Sequence, residues 1–386
     1  MIPNQTLVTS LAQHVLTAQN TSHSWDAAPS PQGCISMVTA DYPDDPISQA
    51  VEHWISKGKG AIILPVLFLL GTVGICLSLT SFYRQGLKHR INLCLFSLEF
   101  IHLLNIAFLF LLNIDSVFLP LDSGVYGPVY QFLVNHRLLG MLGFMYGAMY
   151  LTAVASCERC LTVLFPLQSK TLLSTRTMYV VIICGTCLTT LPFFVVTARY
   201  QVTCFFDVVK NSTVLKYTVN EYYFKNKDII NAVEGTYFGL ILSLGLPFIV
   251  CVCTALTGFK LKQTITFRKK TSSSDTRKEA ATTKMLIIIS IIFLVLSIPN
   301  IFIRMVPLFQ PEARADGRYN NSFGVLINGA EVGSAMNSSV NVFVYYFSGT
   351  KFRENVQEIF RCQKREKKSS MELTDHSQHQ ISMNRW

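Results

Sequence analysis

Charge is what this chain has least of. Asp, Glu, Lys and Arg make up 15% of its 386 residues, while hydrophobic residues make up 50%. A soluble domain carries about 25% charged residues, so the deficit argues against an ordinary soluble fold. Polar residues at helical spacing are also missing from the long apolar runs, which excludes soluble amphipathic helices. No internal repeat occurs. The opening MIPNQTLVTS has neither a basic start nor an apolar core, so the first long apolar run is expected to act as the insertion signal. His, Asp and Glu do not cluster near one membrane face. That speaks against a membrane enzyme and against a bound metal or other cofactor.

Seven apolar runs are present, near Ala61–Phe82, Ile91–Asn113, Val134–Cys160, Met178–Thr197, Val233–Phe259, Ala281–Val306 and Phe323–Phe347. About 20 residues at 1.5 Å each cross a hydrocarbon core about 30 Å thick. Backbone in lipid must satisfy its own hydrogen bonds, so runs of this length are helices. The expected fold is an all-α membrane protein: a seven-transmembrane helix bundle over 61–348. A mostly disordered, glycosylated segment 1–60 precedes it. A short amphipathic eighth helix (349–362) and a tail (363–386) follow.

Lys and Arg set the orientation. With the N-terminus outside, twenty-one basic residues fall in the inner segments and eleven in the outer ones. The net charge of +10 is then a topology signal rather than a nucleic-acid footprint. The sequons at Asn4, Asn20, Asn211 and Asn320 all fall outside in this arrangement. Asn337-Ser-Ser also matches, but inside the seventh run. Of eleven cysteines, only Cys34 and Cys204 lie in the oxidising compartment. They are expected to pair, two free thiols being the alternative.

The third run ends Cys157-Glu158-Arg159-Cys160-Leu161, followed by Phe165-Pro166-Leu167. Charges at the end of an apolar helix are costly unless they have a function. This segment resembles the Glu/Asp-Arg-Tyr motif and proline-containing second inner loop of rhodopsin-like (class A) G-protein-coupled receptors. Asn92-Leu93-Cys94-Leu95 is similar to that family's second-helix start. Pro247 is similar to its fifth-helix proline, and Phe293 and Pro299 share its sixth-helix spacing. Asn341-Val342-x-x-Tyr345 resembles its Asn-Pro-x-x-Tyr motif with the proline lost. Phe352, Val356, Ile359 and Phe360 make an amphipathic helix that suits the inner membrane face. Cys362 beyond them is a palmitoylation candidate. The sequence is closest in look to invertebrate chemosensory and FMRFamide-like peptide receptors. It departs from the wider pattern at Ile75, His102, Val134, Ala255 and Ser297.

The resemblance implies a plasma-membrane receptor that takes an extracellular peptide or small molecule. It further implies a heterotrimeric G protein engaged through Arg159 and an arrestin-like partner drawn to phosphorylated Ser272–Ser274 or the tail. Glu279 at the start of the sixth helix is expected to pair with Arg159, or else to balance Arg277 and Lys278. Ligand-lining candidates are Met141, Tyr237, Asn300, Arg304 and Glu331. Met141 stands where a biogenic-amine receptor needs an acid. Glu331 would meet a ligand's cationic group or bridge to Arg304. Glu99 and His102 lie one turn apart and could face each other, as a proton sensor or as an internal polar pair. A transporter or channel is the competing class, and it would show inverted repeats and midplane charges.

Overall fold

The computed structural model describes residues 35–37, 44–113, 142–166, 168–169, 173–193, 200–207, 212–219, 221–268, 274–310, 312–313, 317–349 and 352–359. Within these the side chains of 35–37, 112, 200–207, 212–219, 234, 264–268, 274–280 and 308 are not part of the description.

Two compact units emerge. The smaller holds a three-stranded sheet of β1 (Ile35–Met37), β2 (Tyr200–Asp207) and β3 (Ser212–Val219), in that order. β1 runs parallel to β2, with Ile35 opposite Phe205 and Met37 opposite Asp207. Cys34 and the side chain of Cys204 adjoin this register in sequence but lie outside the described residues.

The larger unit is helical. α1 runs unbroken over Gln49–Gln85, α2 over Arg90–Asn113, α3 over Phe144–Leu164 and α4 over Thr175–Thr190. α5 starts at Lys227–Ala232, widens into a π-helical stretch Val233–Gly245 and tightens again over Leu246–Arg268. Pro247 stands at that change, where its missing N–H suits the irregular ladder. α6 spans Ser274–Phe309 and contains Pro299 and Pro307. α7 spans Asn320–Ser348, and a short helix α8 covers 352–359.

Among the described residues four helices are long and apolar enough to cross a membrane: Gln49–Gln85, Arg90–Leu111, Lys227–Gln263 and Ala281–Pro307. α3, α4 and α7 fall short of that measure in length or apolarity, α4 with 16 described residues. One boundary differs plainly from the sequence reading. Helix begins at Gln49 rather than near Ala61, with Ser48 as its N-cap, so the last stretch of the 1–60 segment is ordered helix.

Two apolar clusters fill the bundle. One joins α1, α2, α3, α6, α7 and α8 through Phe82, Leu98, Leu151, Met285, Tyr345 and Phe352. The other joins α3, α5 and α6 through Tyr146, Met149, Phe238, Leu242, Val250 and Phe293. α1 and α7 approach closely because α1 offers glycine there. A Cβ on Gly71 would sit 2.5 Å from the Ser339 Oγ, and one on Gly74 2.5 Å from the Val342 Cγ1. Close helix approach at small residues is the usual way helices associate in lipid.

Candidate functional site

The inner end of α3 carries the first candidate. Glu158 and Arg159 are both buried. Arg159 Nε lies 2.7 Å from Glu158 Oε2, yet neither atom makes an aligned hydrogen bond. The contact is therefore coulombic rather than directional. The other carboxylate oxygen accepts from the Thr162 hydroxyl at 3.2 Å and lies 3.8 Å from Arg90 Nη2. Arg90 also donates to the Ser169 and Leu173 carbonyls, each at 2.6 Å. One guanidinium thus ties α2, α3 and the α3–α4 connection together. Arg159 borders a cavity of about 330 Å³ whose walls include His89, Asn92, Met285, Tyr345 and Phe352. The Glu279 side chain lies outside the described residues.

A polar seam joins α2 to α7. Glu99, His102 and Asn105 are spaced three apart and buried, so they present one face to α7. Glu99 Oε1 accepts from the Tyr345 hydroxyl at 2.8 Å and from Asn341 Nδ2 at 3.2 Å. His102 Nδ1 meets the Ser338 hydroxyl at 3.0 Å. Asn105 Nδ2 donates to Ser334 and Ser338 at 2.9 and 3.1 Å. The expected Glu99–His102 pair is corrected here: α7 supplies a partner to each. The helix-seven residues singled out in the sequence, Asn341 and Tyr345, are the ones Glu99 holds. Asn300 borders a small void beside His102, Asn105, Phe293 and Ser297.

The outer end differs most from expectation. Glu331 forms a buried ion pair with Lys59 of α1, a partner named by neither of the two expected alternatives, a ligand's cation and Arg304. Lys59 is 3% and Glu331 1% exposed, so the carboxylate expected to meet a ligand's cation already has one. The Nε of Arg304 is buried without a hydrogen-bond partner. Tyr237 donates to the Leu188 carbonyl of α4 at 2.7 Å, which turns its hydroxyl from the expected pocket.

Above this pair the chain before α1 caps α7. The Asp45 carboxylate accepts from the backbone N–H of Asn321 at 2.9 Å and of Ser322 at 3.2 Å, and from the Ser322 hydroxyl. Asn321 Nδ2 reaches the Ile47 carbonyl at 3.0 Å. Asp44 pairs with Arg318. Burial opposes the Asp45 charge, but the bonds from Ser322, Ile47 and Asn321 outweigh it and hold its carboxyl below the ordinary 3.8.

Sequence reasoning missed Lys59, Asp45 and Arg90. Lys59 stands at the threshold of the first apolar run, where a lysine in register with that run is a signal for an interior partner. Asp45 carried no such signal, because remote capping leaves no spacing to read. Asn4, Asn20, Cys34, Met141, Asn211 and Cys362 lie outside the described residues. Asn320 is the first residue of α7.

The family model for the serpentine-type 7TM GPCR chemoreceptor Srw matches residues 144–363, more than half of the chain. That span runs from α3 through α8 and leaves α1 and α2 outside it. No curated protein matches the chain.

Proposed function

This chain belongs to the Srw family of serpentine-type seven-transmembrane GPCR chemoreceptors, and from that premise we propose that it is a plasma-membrane receptor of rhodopsin-like mechanism. All seven helices span the bilayer with the N-terminus outside, and α8 lies along the inner face. An extracellular ligand, a small chemosensory molecule or a peptide, acts on the outer half of the bundle. A heterotrimeric G protein enters at the inner cavity and meets Arg159. No covalent chemistry is involved. The ligand shifts the helix arrangement only by binding the two states with different affinity.

The observation that carries this reading is the placement of Arg159. Its guanidinium is buried beside Glu158, in loose coulombic contact, on the wall of a cavity open between α2, α6 and α7. A buried charge held by a misaligned partner is readily exchanged to another acceptor, because little directional bonding opposes the move. Glu279 would be the competing resting partner.

Basal G-protein activation is measured in cells expressing wild type, Arg159→Ala and Glu279→Ala at matched surface levels. Arg159→Ala is expected to lower the signal and Glu279→Ala to raise it. If all three equal empty cells, the Arg159–Glu279 lock has no support from basal signalling and ion flux becomes the next measurement.

A further inference from the structure

We propose that Lys59, with Asp45 above it, is a positioning residue for α7: the outer extension of α1 holds α7 in the register at which Asn341 and Tyr345 meet Glu99. The proposal rests on the receptor reading only for its signalling consequence; the structural coupling stands by itself.

Three features carry it. First, Lys59 and Glu331 pair in an almost fully buried place. Two opposite charges in so dry a site are held strongly to each other, and removing either strands its partner. Second, the contact is one of a series. Asp45 accepts from the first N–H groups of α7, where a carboxylate meets the positive end of the helix dipole. Asn328 reaches Glu52 at 3.4 Å, and Ser339 donates to the Leu67 carbonyl at 3.1 Å. Gly71 and Gly74 admit α7 to contact with α1. Third, the series ends at the seam. Asn341 lies ten residues beyond Glu331, and the Tyr345 ring meets Phe82 of α1 edge-on at 5.1 Å. A rise of 1.5 Å per residue makes α7 a rigid rod between these points. A shift of its outer end is therefore delivered to Asn341 and Tyr345 rather than absorbed.

The test uses the full-length receptor in lipid nanodiscs, without ligand, and follows amide hydrogen exchange along α7. The variants are Lys59→Met, Glu331→Gln and the reciprocal Lys59→Glu/Glu331→Lys. A positioning role predicts that each single variant speeds exchange roughly tenfold at 320–331 and also at 341–349. The reciprocal exchange is expected to return both toward wild type. A rise confined to 320–331, or none at 341–349, overturns the proposal and leaves a local structural contact. If the single variants do not fold, Lys59→Met/Glu331→Met strands no charge and takes their place; wild-type exchange at 341–349 in that variant overturns it equally. Basal G-protein activation of the same variants is read in cells. A change at 341–349 with unchanged signalling counts against the receptor reading and leaves the positioning role intact.

Discussion

The two seams that α7 and α5 make with the rest of the bundle are built in different proportions of polar and apolar contact. Between α2 and α7 the contacts are directional: a carboxylate, an imidazole and an amide each bonded to a named group opposite. Between α3 and α5 they are mainly aromatic and aliphatic, with a buried hydroxyl pair, Tyr146 and Ser243, and a 3.5 Å sulfur contact between Cys157 and Cys253. Tyr146 stacks on Phe193 at 5.5 Å and Phe193 on Phe238 at 4.1 Å. Leu242, Leu246 and Val250 fill the remainder. Lipid tails are as apolar as leucine, so burial gives little drive to helix pairing in a membrane. A mainly apolar seam therefore fixes distance but tolerates more sliding. A polar seam has discrete registers, because a half-shifted bond leaves buried groups unpaired. Discrete registers are what a switch needs, and they lie on α7.

That contrast can be broken from either side. The largest effect is expected from Glu99→Ala, which removes the acceptor shared by Asn341 and Tyr345. Stranding both groups should cost about 3 kcal/mol, read as a lowered melting midpoint of the purified receptor. Glu99→Gln keeps a carbonyl acceptor and should recover most of that loss. Phe238→Ala attacks the apolar seam. Only the cavity term is lost where lipid cancels the transfer term, so about 2 kcal/mol is expected. A loss larger than that of Glu99→Ala would overturn the ranking of the two seams. The smallest effect belongs to Asp45→Ala, about 1 kcal/mol from a lost cap, seen as faster exchange at the first turn of α7. Its pH dependence has a fixed sign. The Asp45 carboxyl lies below 3.8 in the folded protein, so its contribution is complete above that value. It fades only as pH falls through the lower, folded one. At neutral pH Asp45→Asn should reproduce the acid form, and wild type between pH 5 and 8 should show no change from this group.

Much of this was legible in the sequence, and the reasons it stopped are physical. Apolar runs and the Glu158-Arg159, Pro247, Pro299 and Asn341-x-x-x-Tyr345 landmarks gave the helices, because each depends on local spacing. The start of α1 was misplaced because His53, Lys57 and Lys59 interrupt the apolar run. Those polar residues face α7 or the outer surface rather than ending the helix. Partners across the bundle were less accessible. Glu331 was offered a ligand's cation or Arg304 as its partner. The actual partner, Lys59, sits on a stretch read as disordered. Glu99 and His102 were matched with each other by nearness in sequence, whereas α7 answers both. A buried charge announces that it needs a partner; only the fold says which.

The Lys59–Glu331 pair spans 272 residues of sequence. At a synthesis rate of about 5–20 residues per second, its two halves are made roughly 15–55 s apart. During that interval the ammonium group is without the carboxylate that will meet it. It is covered only when the last helix has been inserted in the right order and depth. A chain truncated before α7 would keep Lys59 without its carboxylate and would lack the helix end that Asp45 caps. The latch that sets register in the finished protein thus closes only when the last helix is in place.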